Sequence, residues 1–162
     1  VAVRLPYAYV AGQAGMHVVD VTDPATPTTV ATYTVGYSSD VALAGDHAYL
    51  GAGDDGLHVL DVSDPTSPTL AAVVPVEAQY VAVRGARAYV AGGDPDACLT
   101  VLDVADPAHP RTLAWYPSTS ELKEVAVAPD AAGDPLAFVA GGAHGLLVLR
   151  VQFDVYLPLV TR

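Results

Sequence analysis

Apolar residues in this chain fall in short runs, broken by Gly, Pro and Asp, and the runs recur. VAV at Val1–Val3, VAL at Val41–Leu43, VAV at Val81–Val83 and VAV at Val125–Val127 each open a unit. A second run follows in every unit: AYVAG at Ala8–Gly12, AYLGA at Ala48–Ala52, AYVAG at Ala88–Gly92 and AFVAG at Ala137–Gly141. A third motif closes three of them: VVDVTDPATP at Val18–Pro27, VLDVSDPTSP at Val59–Pro68 and VLDVADPAHP at Val101–Pro110. Asp20, Asp61 and Asp103 are therefore 41 and 42 residues apart. No stretch has an amphipathic helical period of useful length, so the predicted elements are strands. Each unit reads as four of them: the VAV run, the AYVAG run, an apolar run into Asp-Val such as Gly56–Val62, and a segment after the Asp-Pro turn such as Thr28–Val35.

One four-stranded sheet cannot bury two apolar faces alone, but sheets stacked face to face can. A period of about 40 to 45 residues with four strands per unit is the propeller signature. The expected fold is all-β, a β-propeller of four-stranded antiparallel blades with about four blades in this chain. The blades fall at about 1–40, 41–80, 81–124 and 125–160, within a single propeller domain or part-propeller over 1–162. Stacking also accounts for 52% hydrophobic residues without a helix, and 13 prolines and 14 glycines fit a turn-dense β protein. No run approaches the roughly 20 apolar residues of a membrane helix.

The recurring V-L-D-V-S-D-P pattern resembles the LVIVD-type repeat, a propeller repeat of bacterial secreted and surface proteins, over about Val1–Val151. The resemblance implies a β-propeller in an extracellular or cell-surface setting and no single activity. The fourth unit departs from the pattern. It reads LVLRV at Leu147–Val151, with Arg150 where Asp is expected, and no Asp-Pro turn follows. Instead, Phe153, Val155, Leu157 and Leu159 alternate on one face of a terminal strand. Two roles stand for that strand: the fourth strand of the last blade, or an assembly strand that pairs with another molecule. The ending YLPLV resembles short C-terminal tails of some bacterial secreted proteins.

Charge narrows the partners. Seven Lys plus Arg stand against 18 Asp plus Glu, and Lys123 is the only lysine. Nucleic acid and anionic membrane surfaces need clustered positive charge, so neither is expected as a partner. The chain starts at Val1 without Met or a signal-peptide pattern, which reads as a processed or partial product. Four blades is few for a propeller. An open array exposes two apolar end faces, which monomers rarely tolerate. Two closures stand: the four blades close alone, or two chains, or a missing N-terminal part, complete a larger ring. Closure by further blades is expected, and self-association or another surface protein is the expected partner.

The residues that carry chemistry elsewhere have plainer roles here. Asp20, Asp61 and Asp103, with Asp23, Asp64 and Asp106, recur once per unit. Asp before Pro starts a turn and caps nearby backbone amides, so a turn role is expected, not a metal site. His17 and His58 share a repeat position with Thr100 and Leu147, which marks a packing site. Cys98 beside Leu99–Val104 reads as a small buried hydrophobe. No metal, no cofactor, no catalytic set and no enzyme activity are expected. Loops between the second and third strands, and between units, share one end of the sheets. They carry Asp54 and Asp55, Asp94 and Asp96, and then Asp40, Tyr80 and Glu124 directly before the first strand of the next unit. Two readings stand for this acidic ring: a binding site for a cation, a basic peptide or a sugar, or a solvated loop face. The functional expectation is a non-enzymatic extracellular repeat protein, a structural or protein-interaction module of a surface or filamentous assembly. The alternatives are a ligand-binding propeller with an acidic channel mouth, or a propeller fragment of a secreted enzyme.

Overall fold

The computed structural model describes residues 1–93, 98–119, 121–142, 145–150 and 157–158. Its strands form four four-stranded antiparallel sheets, each an up-and-down meander in chain order. The first holds β1 (Ala2–Arg4), β2 (Tyr7–Gly12), β3 (Gly15–Asp20) and β4 (Thr28–Thr34). The second holds β5 (Asp40–Ala44), β6 (His47–Gly51), β7 (Leu57–Asp61) and β8 (Thr69–Val74). The third holds β9 (Tyr80–Arg84), β10 (Arg87–Ala91), β11 (Cys98–Asp103) and β12 (Arg111–Pro117). The fourth holds β13 (Glu124–Pro129), β14 (Pro135–Ala140), β15 (Leu146–Arg150) and β16 (Leu157–Pro158). No α-helix occurs among the described residues.

Local chemistry sets each turn. A two-residue loop, Gly45–Asp46, joins β5 to β6, and Gly45 takes φ +54° at its first position, which favours glycine. The third strands open on a tighter constraint. Gly56 has φ +96°, and a Cβ there would lie 2.5 Å from the Val74 carbonyl oxygen. Gly15 repeats this against Tyr33. The outer strands share a bulge. The register shifts at Val18/Val19, Val59/Leu60 and Val101/Leu102, leaving Val30, Ala71 and Leu113 unpaired in β4, β8 and β12.

The Asp-Pro segments between third and fourth strands are built alike. Asp61 accepts from the Ser63 amide at 2.8 Å and Asp64 from the Thr66 amide at 2.9 Å, and the Ser67 amide closes the turn on the Asp64 carbonyl. Asp20, Asp23, Asp103 and Asp106 make the same bonds in the first and third sheets. These carboxylates hold turns, as their spacing suggests.

Packing between sheets is equally repetitive. Pleating gives each sheet two faces, and one carries the tyrosine of the second strand, or Phe138 in its place in the fourth sheet. Tyr9, Met16 and Val18 of the first sheet pack on Val41, Leu50 and Leu60 of the second. Tyr49, Leu57 and Val59 pack on Val81, Val90 and Leu102 of the third. Tyr89, Leu99 and Val101 pack on Val125, Val139 and Leu149 of the fourth. The first strands β1, β5, β9 and β13 adjoin one another in that order. The three buried clusters therefore lie between successive sheets, and none of them joins the fourth sheet to the first.

Candidate functional site

Asp40, Tyr80 and Glu124 are the first residues of β5, β9 and β13, so they occupy equivalent places at one end of neighbouring first strands. Their side chains do different things. Asp40 accepts from its own neighbour's amide, Val41, at 2.8 Å and from the Val81 amide of the next sheet at 3.0 Å. It thus ties the second sheet to the third. Tyr80 packs at the edge of the cluster between the third and fourth sheets. Glu124 is exposed and accepts from the Val125 amide at 3.3 Å.

Asp54 and Asp55 are exposed in the loop between β6 and β7, at the same end. That loop is pinned to the segment before β9 by a two-way bridge, Gly53 amide to Ala78 carbonyl at 2.7 Å and the reverse at 3.0 Å. The pinning shapes a shallow pocket of about 280 Å³ lined by Tyr37, Ala52, Gly53, Asp54, Asp55 and Gln79. Tyr37 is 66% exposed. The pocket therefore unites Asp54 and Asp55 with Tyr37 and Gln79, and Asp40, Tyr80 and Glu124 are not in its lining. Tyr37 and Gln79 were not singled out in the sequence. Their signal was position, since both lie just ahead of a first strand, in the loops that carry Asp40 and Tyr80. Asp94 and Asp96 lie outside the described residues.

A larger cleft of about 500 Å³ opens at the other end of the strands, lined by Arg84, Gly85, Ala86, Arg87 and Pro135. In the first sheet, the arginine at the Arg84 position is Arg4, which reaches into the second sheet. It donates to the Gly45 carbonyl at 2.5 Å and the Val62 carbonyl at 2.8 Å, and pairs with Asp46 at 3.1 Å. In the fourth sheet, the hairpin carboxylates are taken from within. Arg150 pairs with Asp130 at 2.5 Å and Asp134 at 3.3 Å, which explains an arginine where the other units have Asp.

The remaining described candidates make local contacts. His58 is buried and its Nδ1 lies 2.9 Å from the Tyr33 hydroxyl of the preceding sheet. His17, its counterpart, meets Thr32 at 3.1 Å within its own sheet. Cys98 is half-buried at the start of β11, with Sγ 3.6 Å from the Thr100 hydroxyl, rather than fully buried as its apolar neighbours suggest. Among the described residues no three His, Cys, Asp or Glu converge as a metal would need. Leu157 pairs through its backbone with Arg150 of its own sheet; Phe153, Val155 and Leu159 lie outside the described residues.

Four similar antiparallel sheets, stacked through one repeated interface, with one repeated turn in the first three, define an all-β repeat protein. The chain belongs to the LVIVD repeat family, whose pattern it matches over residues 1–35, 35–76 and 77–116. The three matched segments cover the first three sheets, and the fourth, with Arg150 and no Asp-Pro turn, stands beyond them. No curated protein matches the chain significantly.

Proposed function

We propose that the four sheets are blades of a β-propeller-type array, and that the protein is a non-enzymatic, extracellular structural or protein-interaction module of a surface or filamentous assembly. One observation carries the reading: among the described residues every buried cluster lies between sheets, through the same pair of faces each time. A chain built this way invests its side chains in stacking. The repeated Asp carboxylates hold turns, and Asp40 makes an inter-sheet tie. Family membership supports the propeller arrangement and the extracellular setting, as what LVIVD repeats imply. The test is the mass of the 162-residue chain in solution across a wide concentration range, with and without residues 152–162. Association that grows with concentration supports the assembly reading. Loss of association on deleting the tail makes the terminal strand the assembly element. A monomer throughout removes self-assembly as its function.

A second reading has its own observation, the pocket at Asp54, Asp55, Tyr37 and Gln79. Two carboxylates beside an exposed aromatic ring suit a sugar, whose hydroxyls donate to carboxylates and whose apolar face stacks on tyrosine. Calcium or a basic peptide also suits the charge. Asp54→Asn with Asp55→Asn removes the charge from an exposed loop and leaves the fold intact. Titration calorimetry with calcium and with a panel of oligosaccharides should then show binding by the parent and at least tenfold weaker binding by the variant. No heat from either protein removes this reading.

A further inference from the structure

We propose that the outer face of the fourth sheet docks on the outer face of the first sheet of a second copy, head to tail. This rests on the assembly reading above and names the surfaces that carry it.

Each internal interface joins the tyrosine face of one sheet to the opposite face of the next. A stack of four therefore ends in two unlike faces, each the natural partner of the other. On the first sheet the leftover face carries Val3, Val10 and Val19, in the positions that Leu43, Leu50 and Leu60 take in the second sheet. Leu50 and Leu60 are 0% exposed, whereas Val3 is 60% exposed and Val10 and Val19 only half-buried. On the fourth sheet the leftover face carries Phe138, Leu146 and Val148, in the positions of Tyr49, Leu57 and Val59. Leu57 is 0% exposed and Leu146 is 56% exposed. Both faces are thus apolar where the buried interfaces are apolar, and among the described residues no further sheet packs on either.

The occupant follows from continuity. Three interfaces inside the molecule already show what fits a tyrosine face, and among the described residues the first sheet's outer face is a matching surface left open by this stacking. His17 lies on that face at the position where His58 meets a tyrosine hydroxyl of the preceding sheet. A second copy therefore extends the stack by the interface it already uses three times. Such contacts are heterologous: they close into a ring where the rotation allows and otherwise propagate as a filament.

The test uses two variants of the whole chain, Val3→Arg and Leu146→Arg, each placing a charge on one exposed end face. An unpaired charge trapped in an apolar interface is costly, so each variant alone should associate about tenfold or more weakly than the parent. Mixed one to one, the two variants still offer one intact pair of faces, the fourth sheet of the first variant and the first sheet of the second. The mixture should form a discrete heterodimer by sedimentation, which also shows that both variants fold. If the parent associates and the variants do so equally well, these faces are not the interface, and the assembly reading survives through another surface. If the variants fail singly and mixed while their melting curves match the parent's, the contact is not head to tail. A parent that stays monomeric, as a chain closing its fourth sheet on its first would, overturns this proposal and the assembly reading together.

Discussion

At the scale of single residues, the repeated carboxylates link turn geometry to pH. Hydrogen bonds from the Ser63 hydroxyl and amide hold the Asp61 carboxyl below its ordinary value, and those from Thr66 do the same for Asp64. His109, then the Ala108 amide, lower Asp106, and Thr22 lowers Asp20. A carboxyl with a lowered folded-state pKa favours the fold above its unfolded value, and that contribution fades as pH falls through it. The melting temperature should hold steady from neutral pH down and drop as pH passes below 3.8, the ordinary value of these groups. Asp61→Ala with Asp64→Ala should lower the melting temperature at pH 7 and flatten the acid dependence, measured by circular dichroism at each pH. Asp40 acts between sheets. Removing its charged acceptor from the Val81 amide in Asp40→Ala should cost about 1–3 kcal/mol in urea unfolding. Gly56→Ala meets both a left-handed φ of +96° and the Val74 carbonyl, so it should destabilise by about 1–3 kcal/mol or more.

At the scale of elements, the fourth sheet differs from the other three in how it fastens its turns. Sheets one to three end the third strand on an Asp that caps the next turn, while β15 ends on Arg150. Burial pushes the Asp130 carboxyl up, but the amides of Asp134 and Ala132 and the Arg150 guanidinium together hold it below its usual value. Arg150→Asp writes the repeat's usual residue back into the sequence. It should nevertheless loosen this sheet, because it sets a third carboxylate beside Asp130 and Asp134. Hydrogen exchange should quicken across β13–β15 and stay unchanged in β5–β7; protection as strong as the parent's would show that the pairing does not hold the hairpin.

At the scale of the whole molecule, stability resides between sheets. Leu60 is wholly buried where the first and second sheets meet, so Leu60→Ala should cost about 2–5 kcal/mol in denaturant unfolding. An array in which each unit touches only its neighbours has a stability that sums over interfaces, so extending the stack with a second copy should raise the melting temperature with protein concentration. The outward faces at Val3 and Leu146 are where that gain enters. A melting temperature independent of concentration would place the chain's stability wholly inside one copy.

Much of this architecture is local enough to be read from the chain. The four strands per unit, the turns at Asp61 and Asp64 and the meander order follow from contacts between residues a few positions apart, where apolar runs, glycines and Asp-Pro pairs each have one favourable geometry. The acidic loops were legible as a group, since position in the repeat fixes which end of a sheet they occupy. Which of them act together was not. Asp40 turns inward to the Val81 amide 41 residues away, and Asp54 and Asp55 share a pocket with Tyr37 and Gln79 because the Gly53–Ala78 bridge brings two loops together. Arg150 breaks the repeat in sequence, and its partners Asp130 and Asp134 lie across the hairpin, 16 or more residues away in the chain. The sequence by itself determined the sheets, because hydrogen-bond ladders between adjacent segments and a two-residue side-chain period are local properties. Only the tertiary structure decided which faces meet, and which apolar positions, such as Val3 and Leu146, stay exposed among the described residues, because that depends on how each sheet is set against the next, and no residue encodes that rotation alone.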